Sequence, residues 1–175
     1  MDRTIARRDT VDDLVDAWRA ELPAVAGPEL ELGKRAARLA ALLGEATNAQ
    51  LTRFGLTRAE YEVLAVLRAA GEPYRLRPTD LASRLLLSSG GTSNLLRRLT
   101  GAGLVAREAD ARDARSSWVR LTTSGVHIAE ASVRAASSAQ AALLHSVPED
   151  TARAAIDALR EVLVALGDEP RVSMR

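Results

Sequence analysis

The chain has 175 residues, a net charge of +1, five aromatic residues and no cysteine. These features exclude disulfides and thiolate metal sites, and no apolar run is long enough to span a bilayer. Ala and Leu fill the apolar positions, and both favour helices, so the composition predicts a largely helical domain.

Thr10 is expected to cap a first helix, Val11–Leu22, with Asp12 and Asp13 near its positive end. Val11, Leu14, Val15, Trp18 and Leu22 recur at spacings of three and four and form one apolar face. Pro23 to Pro28 interrupts, and a longer helix, Glu29–Phe54, runs to Gly55. Thr57-x-x-Glu60 is a capping box ahead of Tyr61–Ala70, which Gly71 stops.

Arg77-Pro78-Thr79 opens a short helix, Asp80–Leu86. Ser88 and Ser89 cap the next helix, Gly90–Ala102, and Gly103 closes it. Two short helices a few residues apart form a helix-turn-helix. Leu104–Arg107 and Trp118–Thr122 read as strands around the charged tip Glu108–Ser116, which makes a β-hairpin wing. Thr122 or Thr123 starts an Ala-rich helix reaching about His145, and Pro148-Glu149-Asp150 opens the last helix, through Leu166.

The expected fold class is mainly α with a small β-hairpin wing: a winged helix-turn-helix flanked by N- and C-terminal helices. The division is 1–55 for N-terminal dimerisation helices with an extra first helix, 56–122 for the winged domain, 123–167 for C-terminal dimerisation helices, and 168–175 for a flexible tail.

The charge distribution is more informative than its sum. Between Arg75 and Arg120 nine arginines face four acids, a net +5, and the rest of the chain carries −4. A basic middle on an acidic scaffold is the electrostatic footprint of a DNA-binding module. The second helix of a helix-turn-helix fits the major groove, and its early residues meet base edges. Leu95, Leu96 and Leu99 face the core, which leaves Ser88, Ser89, Gly90, Thr92, Ser93, Asn94 and Arg97 for DNA. Arg97 suits guanine or phosphate, and Asn94 suits adenine. Arg98 suits phosphate or an acidic partner. In the wing, Arg112 and Arg115 are candidates for the minor groove, whose negative potential attracts arginine.

The segment Leu81–Gly125 resembles the MarR family of regulators. The matching pieces are Leu81-Ala82, Arg98-Leu99, Gly103-Leu104-Val105, Asp110-x-Arg112-Asp113-x-Arg115 and Val119-x-Leu121-Thr122-x-x-Gly125. The resemblance implies a homodimer whose terminal helices interlock. Its two lobes bind double-stranded DNA at a palindromic operator, commonly as a repressor released by a small ligand. The extra first helix, and Gly71-x-Pro73-Tyr74-Arg75-Leu76-x-Pro78-Thr79 leading to Ser88-Ser89-Gly90-Gly91, resemble the urate-responsive subgroup (PecS, HucR and TamR types). That resemblance implies a urate-like or carboxylate anion held by Trp18, Glu62 and Arg115. The chain departs from the subgroup at Glu62, where Asp is usual, and at Ala114, where Arg is usual.

No nucleophile–base pair, nucleotide loop or metal-ligand cluster is legible, and His127 and His145 stand alone. No catalytic residue, metal or cofactor is therefore expected, and the chain is not expected to be an enzyme. The charged Met1–Thr10 lacks the apolar stretch of a secretory signal, so no membrane association and a cytoplasmic location are expected. The alternative reading is a helical small-molecule-binding or protein-interaction module without DNA binding.

Overall fold

The computed structural model describes residues 8–86, 88–109 and 117–168. In chain order these form α1 (Thr10–Glu21), α2 (Pro28–Leu51), α3 (Arg58–Ala69), β1 (Arg75–Leu76), α4 (Pro78–Arg84), α5 (Ser89–Gly101), β2 (Val105–Ala109), β3 (Ser117–Leu121), α6 (Thr123–Leu144) and α7 (Glu149–Ala165). The mainly helical fold with a small wing is as expected. The tail beyond Asp168 lies outside the described residues.

Side-chain caps open four of the seven described α-helices: α1, α3, α5 and α6. At α1 the cap is Asp9 rather than the expected Thr10. The Asp9 carboxylate accepts from the Val11 and Asp12 amides (2.8 and 3.1 Å), and Asp12 answers by accepting from the Asp9 amide at 2.7 Å. A charged acceptor makes a stronger cap bond than a hydroxyl, and it also complements the helix dipole. Before α3 the predicted capping box is present: Glu60 accepts from the Thr57 amide (2.8 Å), and Thr57 Oγ1 accepts from the Glu60 amide (3.3 Å). The long helix gives way at Thr52–Phe54 to a 3-10 turn that ends on Gly55 in the left-handed region, φ +64°.

The sheet has three antiparallel strands in the order β1-β3-β2, one more than the sequence pattern suggested. The extra strand β1 pairs Arg75 with Arg120 and Leu76 with Val119. In β3, Val119 and Leu121 point inward, while Trp118 and Arg120 lie on the other face. The inner face closes one core with Val63, Leu64 and Leu67 of α3, Leu81 of α4 and Leu95, Leu96 and Leu99 of α5. This apolar contact fixes α5 against the sheet.

The wing base is hooked onto α6. The Thr122 amide donates to the Leu104 carbonyl (3.1 Å), and its hydroxyl donates to the Gly103 carbonyl at 2.7 Å. Thr122 Oγ1 also accepts from the Gly125 amide at 3.0 Å, capping α6. Gly125 lies so close that a Cβ there would meet the Leu104 carbonyl oxygen at 1.9 Å. The Thr122-x-x-Gly125 pattern is thus a close backbone approach combined with a cap.

The flanking helices form a second layer. α2 packs along α6, where Ala129, Ser132 and Ala136 are buried and small. Gln140 of α6 donates to Thr47 Oγ1 of α2 at 3.0 Å. α1 packs on α2, and Arg35 of α2 ties the two by binding Asp9 (2.9 Å) and Asp12 (2.7 Å) of the α1 segment, with Glu31 at 2.8 Å. α7 buries none of its residues, and Ile156, Leu163 and Val164 stand exposed on it. No described helix is long and apolar enough to cross a membrane.

Candidate nucleic-acid interface

The helix α5 is two-sided. Thr92, Leu95, Leu96 and Leu99 are buried, while Ser93, Asn94 and Arg97 are exposed. Its start is shaped by Ser88, whose hydroxyl accepts from the Gly91 amide at 3.2 Å. Gly90 and Gly91 are exposed, so the first turn presents backbone rather than bulk. Ser89 opens the helix, and its side chain lies outside the described residues.

Thr92, expected at the DNA surface, is instead 3% exposed, and its hydroxyl donates to the Ser88 carbonyl at 3.0 Å. It lies on the same helix face as Leu95, Leu96 and Leu99, three, four and seven residues on, and packing claims it. Asn94 and Arg97 are joined by a hydrogen bond from the Arg97 guanidinium to Asn94 Oδ1. They form one exposed unit with donors and an amide edge side by side.

Arg98 points elsewhere. Its guanidinium reaches the buried Glu60 carboxylate at 3.1 Å, the same carboxylate that caps α3. This ion pair joins the recognition-type helix to α3.

Arg107 was not singled out from the sequence. It lies on β2 and lines a shallow groove with Ser93, Arg97 and Thr100 of α5. Strand alternation carried the signal, because Arg107 shares a face with Val105. The opposite face of the sheet holds a second basic group. The guanidinium carbons of Arg75 and Arg77 each lie 4.8 Å from the Trp118 ring centroid. Glu108 binds Arg120 and also lies 3.5 Å from Arg75. The Arg120 hydrogen bond, aided by Arg75, holds the Glu108 carboxyl below the usual carboxylate range. The wing root is therefore braced by arginine stacking and by one shared acid. The expected wing contacts Arg112 and Arg115 lie outside the described residues, as does Ala114.

Of the three expected ligand residues, Arg115 lies outside the described residues, and Trp18 and Glu62 sit on different helices. Trp18 is 40% exposed on α1, which packs on α2. Glu62 is on α3, held by Arg58 at 2.6 Å. Burial, with Glu62 beside it, pushes the neighbouring Tyr61 phenol above its ordinary range. Among the described residues no hydrogen bond, ion pair or ring contact joins Trp18 to Glu62. No group of three or more metal-ligating side chains gathers among the described residues.

A sequence model described as MarR family matches residues 54–116. The HTH-type transcriptional regulator PecS of Dickeya dadantii (strain 3937) is 31% identical over 122 residues, which cover 69% of this chain and 73% of that protein. Wild-type apo MarR from E. coli superposes with a TM-score of 0.66 at 26% identity, covering 75% of this chain and 96% of that one. MepR from S. aureus, solved as a DNA complex, superposes with a TM-score of 0.67 at 25% identity, covering 76% and 96%.

Proposed function

The chain belongs to the MarR family, and from that premise we propose that it is a sequence-specific, DNA-binding transcriptional regulator acting as a homodimer. It represses until a small anionic or aromatic ligand binds, acts in the cytoplasm and carries out no catalysis. The observation that carries this reading is the two-sided α5, with the Asn94–Arg97 unit exposed over a buried leucine face and Arg107 beside it.

In this reading α5 enters the major groove. Asn94 and Arg97 address base edges, while Ser88, Ser89, Gly90 and Ser93 allow close approach. Arg107 meets phosphate from the groove wall, and Arg112 and Arg115 reach the minor groove. Arg98 acts through Glu60, and Thr92 has no part. Residues 56–122 form the DNA-reading unit. The helices of 1–55 and 123–167 hold two copies together, which accounts for the exposed apolar face of α7 and for exposed Leu14, Trp18 and Leu22. Two lobes fix the half-site spacing of a palindrome. Trp18, Glu62 and Arg115 are the proposed effector contacts. Glu62 is engaged by Arg58, so a bound anion would compete with Glu62 for that guanidinium.

Selection of bound duplexes from a random DNA library tests the reading. The expected result is enrichment of a two-fold symmetric sequence, lost in the Arg97→Ala protein. Absence of enrichment refutes it.

A further inference from the structure

We propose that Leu86 is a specificity-determining residue that contacts a thymine methyl group at the edge of the α5 footprint. The inference rests on the reading of the chain as a DNA-binding regulator.

Leu86 occupies the turn between α4 and α5, two residues before the Ser88 cap. It is 93% exposed, more than any other large hydrophobic side chain among the described residues. Its φ is +53°, in the left-handed region that favours glycine and disfavours a branched aliphatic residue. Leucine at this position is therefore unfavourable in two ways: the backbone is strained, and the side chain stands in water. Its neighbour Leu85 shows the contrast, because it packs against the core. Folding alone would be better served by Gly or Asn at residue 86. Observed strain of this kind is a pointer to function.

The position suggests what the side chain does. The residues that open α5, Ser88 to Gly91, are small, so an aliphatic group just ahead of them reaches whatever surface the helix start approaches. On the account above that surface is the major groove, where the apolar group on offer is the C5-methyl of thymine. Burying one methyl-sized group against Leu86 strengthens binding about fourfold per half-site. The contact carries no charge, so it adds base discrimination without adding salt dependence.

The test uses the selected duplex with each thymine replaced in turn by deoxyuridine, which removes only the methyl group. Wild-type protein is expected to lose about fourfold in affinity at one symmetric thymine pair, for each half-site. Leu86→Gly, which relieves the backbone strain and so retains the fold, is expected to bind the thymine and deoxyuridine duplexes equally. Leu86→Ala is expected to do the same. If the deoxyuridine penalty is unchanged in Leu86→Gly, the proposal is overturned. If Leu86→Gly weakens every duplex alike and deoxyuridine has no effect, Leu86 contacts sugar rather than base, and the proposal is also overturned. If no duplex is selected at all, the regulator reading fails first and takes this one with it.

Discussion

Replacing Gly125 by Ala isolates the hook between the wing base and α6. In a helix, Ala is ordinarily favoured over Gly by about 1 kcal/mol. Here its Cβ would lie 1.9 Å from the Leu104 carbonyl oxygen and 2.9 Å from the carbonyl carbon, so backbone must move. Forcing extra bulk into a packed contact costs about 1–3 kcal/mol. Displacing Leu104 also strains its hydrogen bond from the Thr122 amide, and a net bond is worth about 1 kcal/mol. The balance is a destabilisation of about 2 kcal/mol, which lowers the melting temperature by roughly 4–8 °C for a chain of this size. Gly101→Ala is the matched control, since a Cβ there meets nothing within 4 Å and Gly101 ends a helix without left-handed backbone. It should be neutral or stabilising by up to about 0.5 kcal/mol. Calorimetry or urea denaturation reads both. A Gly125→Ala protein as stable as wild type would refute the close-contact reasoning.

Further outcomes follow from other contacts. Arg97→Ala should weaken operator binding by about 1–3 kcal/mol, more on the selected sequence than on random DNA, measured by fluorescence titration. Glu130 and Glu108 are held low by their hydrogen bonds from Arg68 and Arg120. Acids depressed in this way support the fold above their unfolded pKa, about 4.3, and that support is lost as pH falls through the folded value. Melting temperature should therefore decline below about pH 4.5, and less steeply in Glu108→Gln than in wild type. Leu86→Gly should raise stability by about 0.5–1 kcal/mol, because left-handed backbone suits glycine. Ile156→Asp combined with Leu163→Asp should shift sedimentation toward monomer and abolish operator binding, because both side chains lie on the exposed apolar face of α7.

Local chemistry was legible where it depends on neighbours in sequence. The Thr57–Glu60 capping box formed as read, and of the pairs the sequence offered, Ser88 rather than Ser89 caps α5 through Gly91 and Thr122 rather than Thr123 caps α6 through Gly125, all closed within three residues. What the sequence hid depends on partners far along the chain. β1 is two residues long, too short to show a period, and it exists only because β3 supplies its hydrogen bonds. The Arg98–Glu60 ion pair joins two helices whose approach is set by the leucine core, so no spacing rule announces it. Thr92 differs from expectation for another reason. Residue type suggests the groove for a small polar side chain, but the spacing of Thr92 to Leu95, Leu96 and Leu99 puts it on the buried face. Asp9 displaced Thr10 because a carboxylate one position earlier makes the stronger cap. The outlines of the DNA surface were therefore readable, and its exact membership waited on packing.

The most direct test is a salt titration of binding to the selected palindrome. If the dimer neutralises about eight phosphates, affinity should fall with roughly the seventh power of salt concentration, and the symmetric sequence should stay favoured over scrambled DNA throughout. Binding that ignores salt, or that treats the two duplexes alike, would contradict the account.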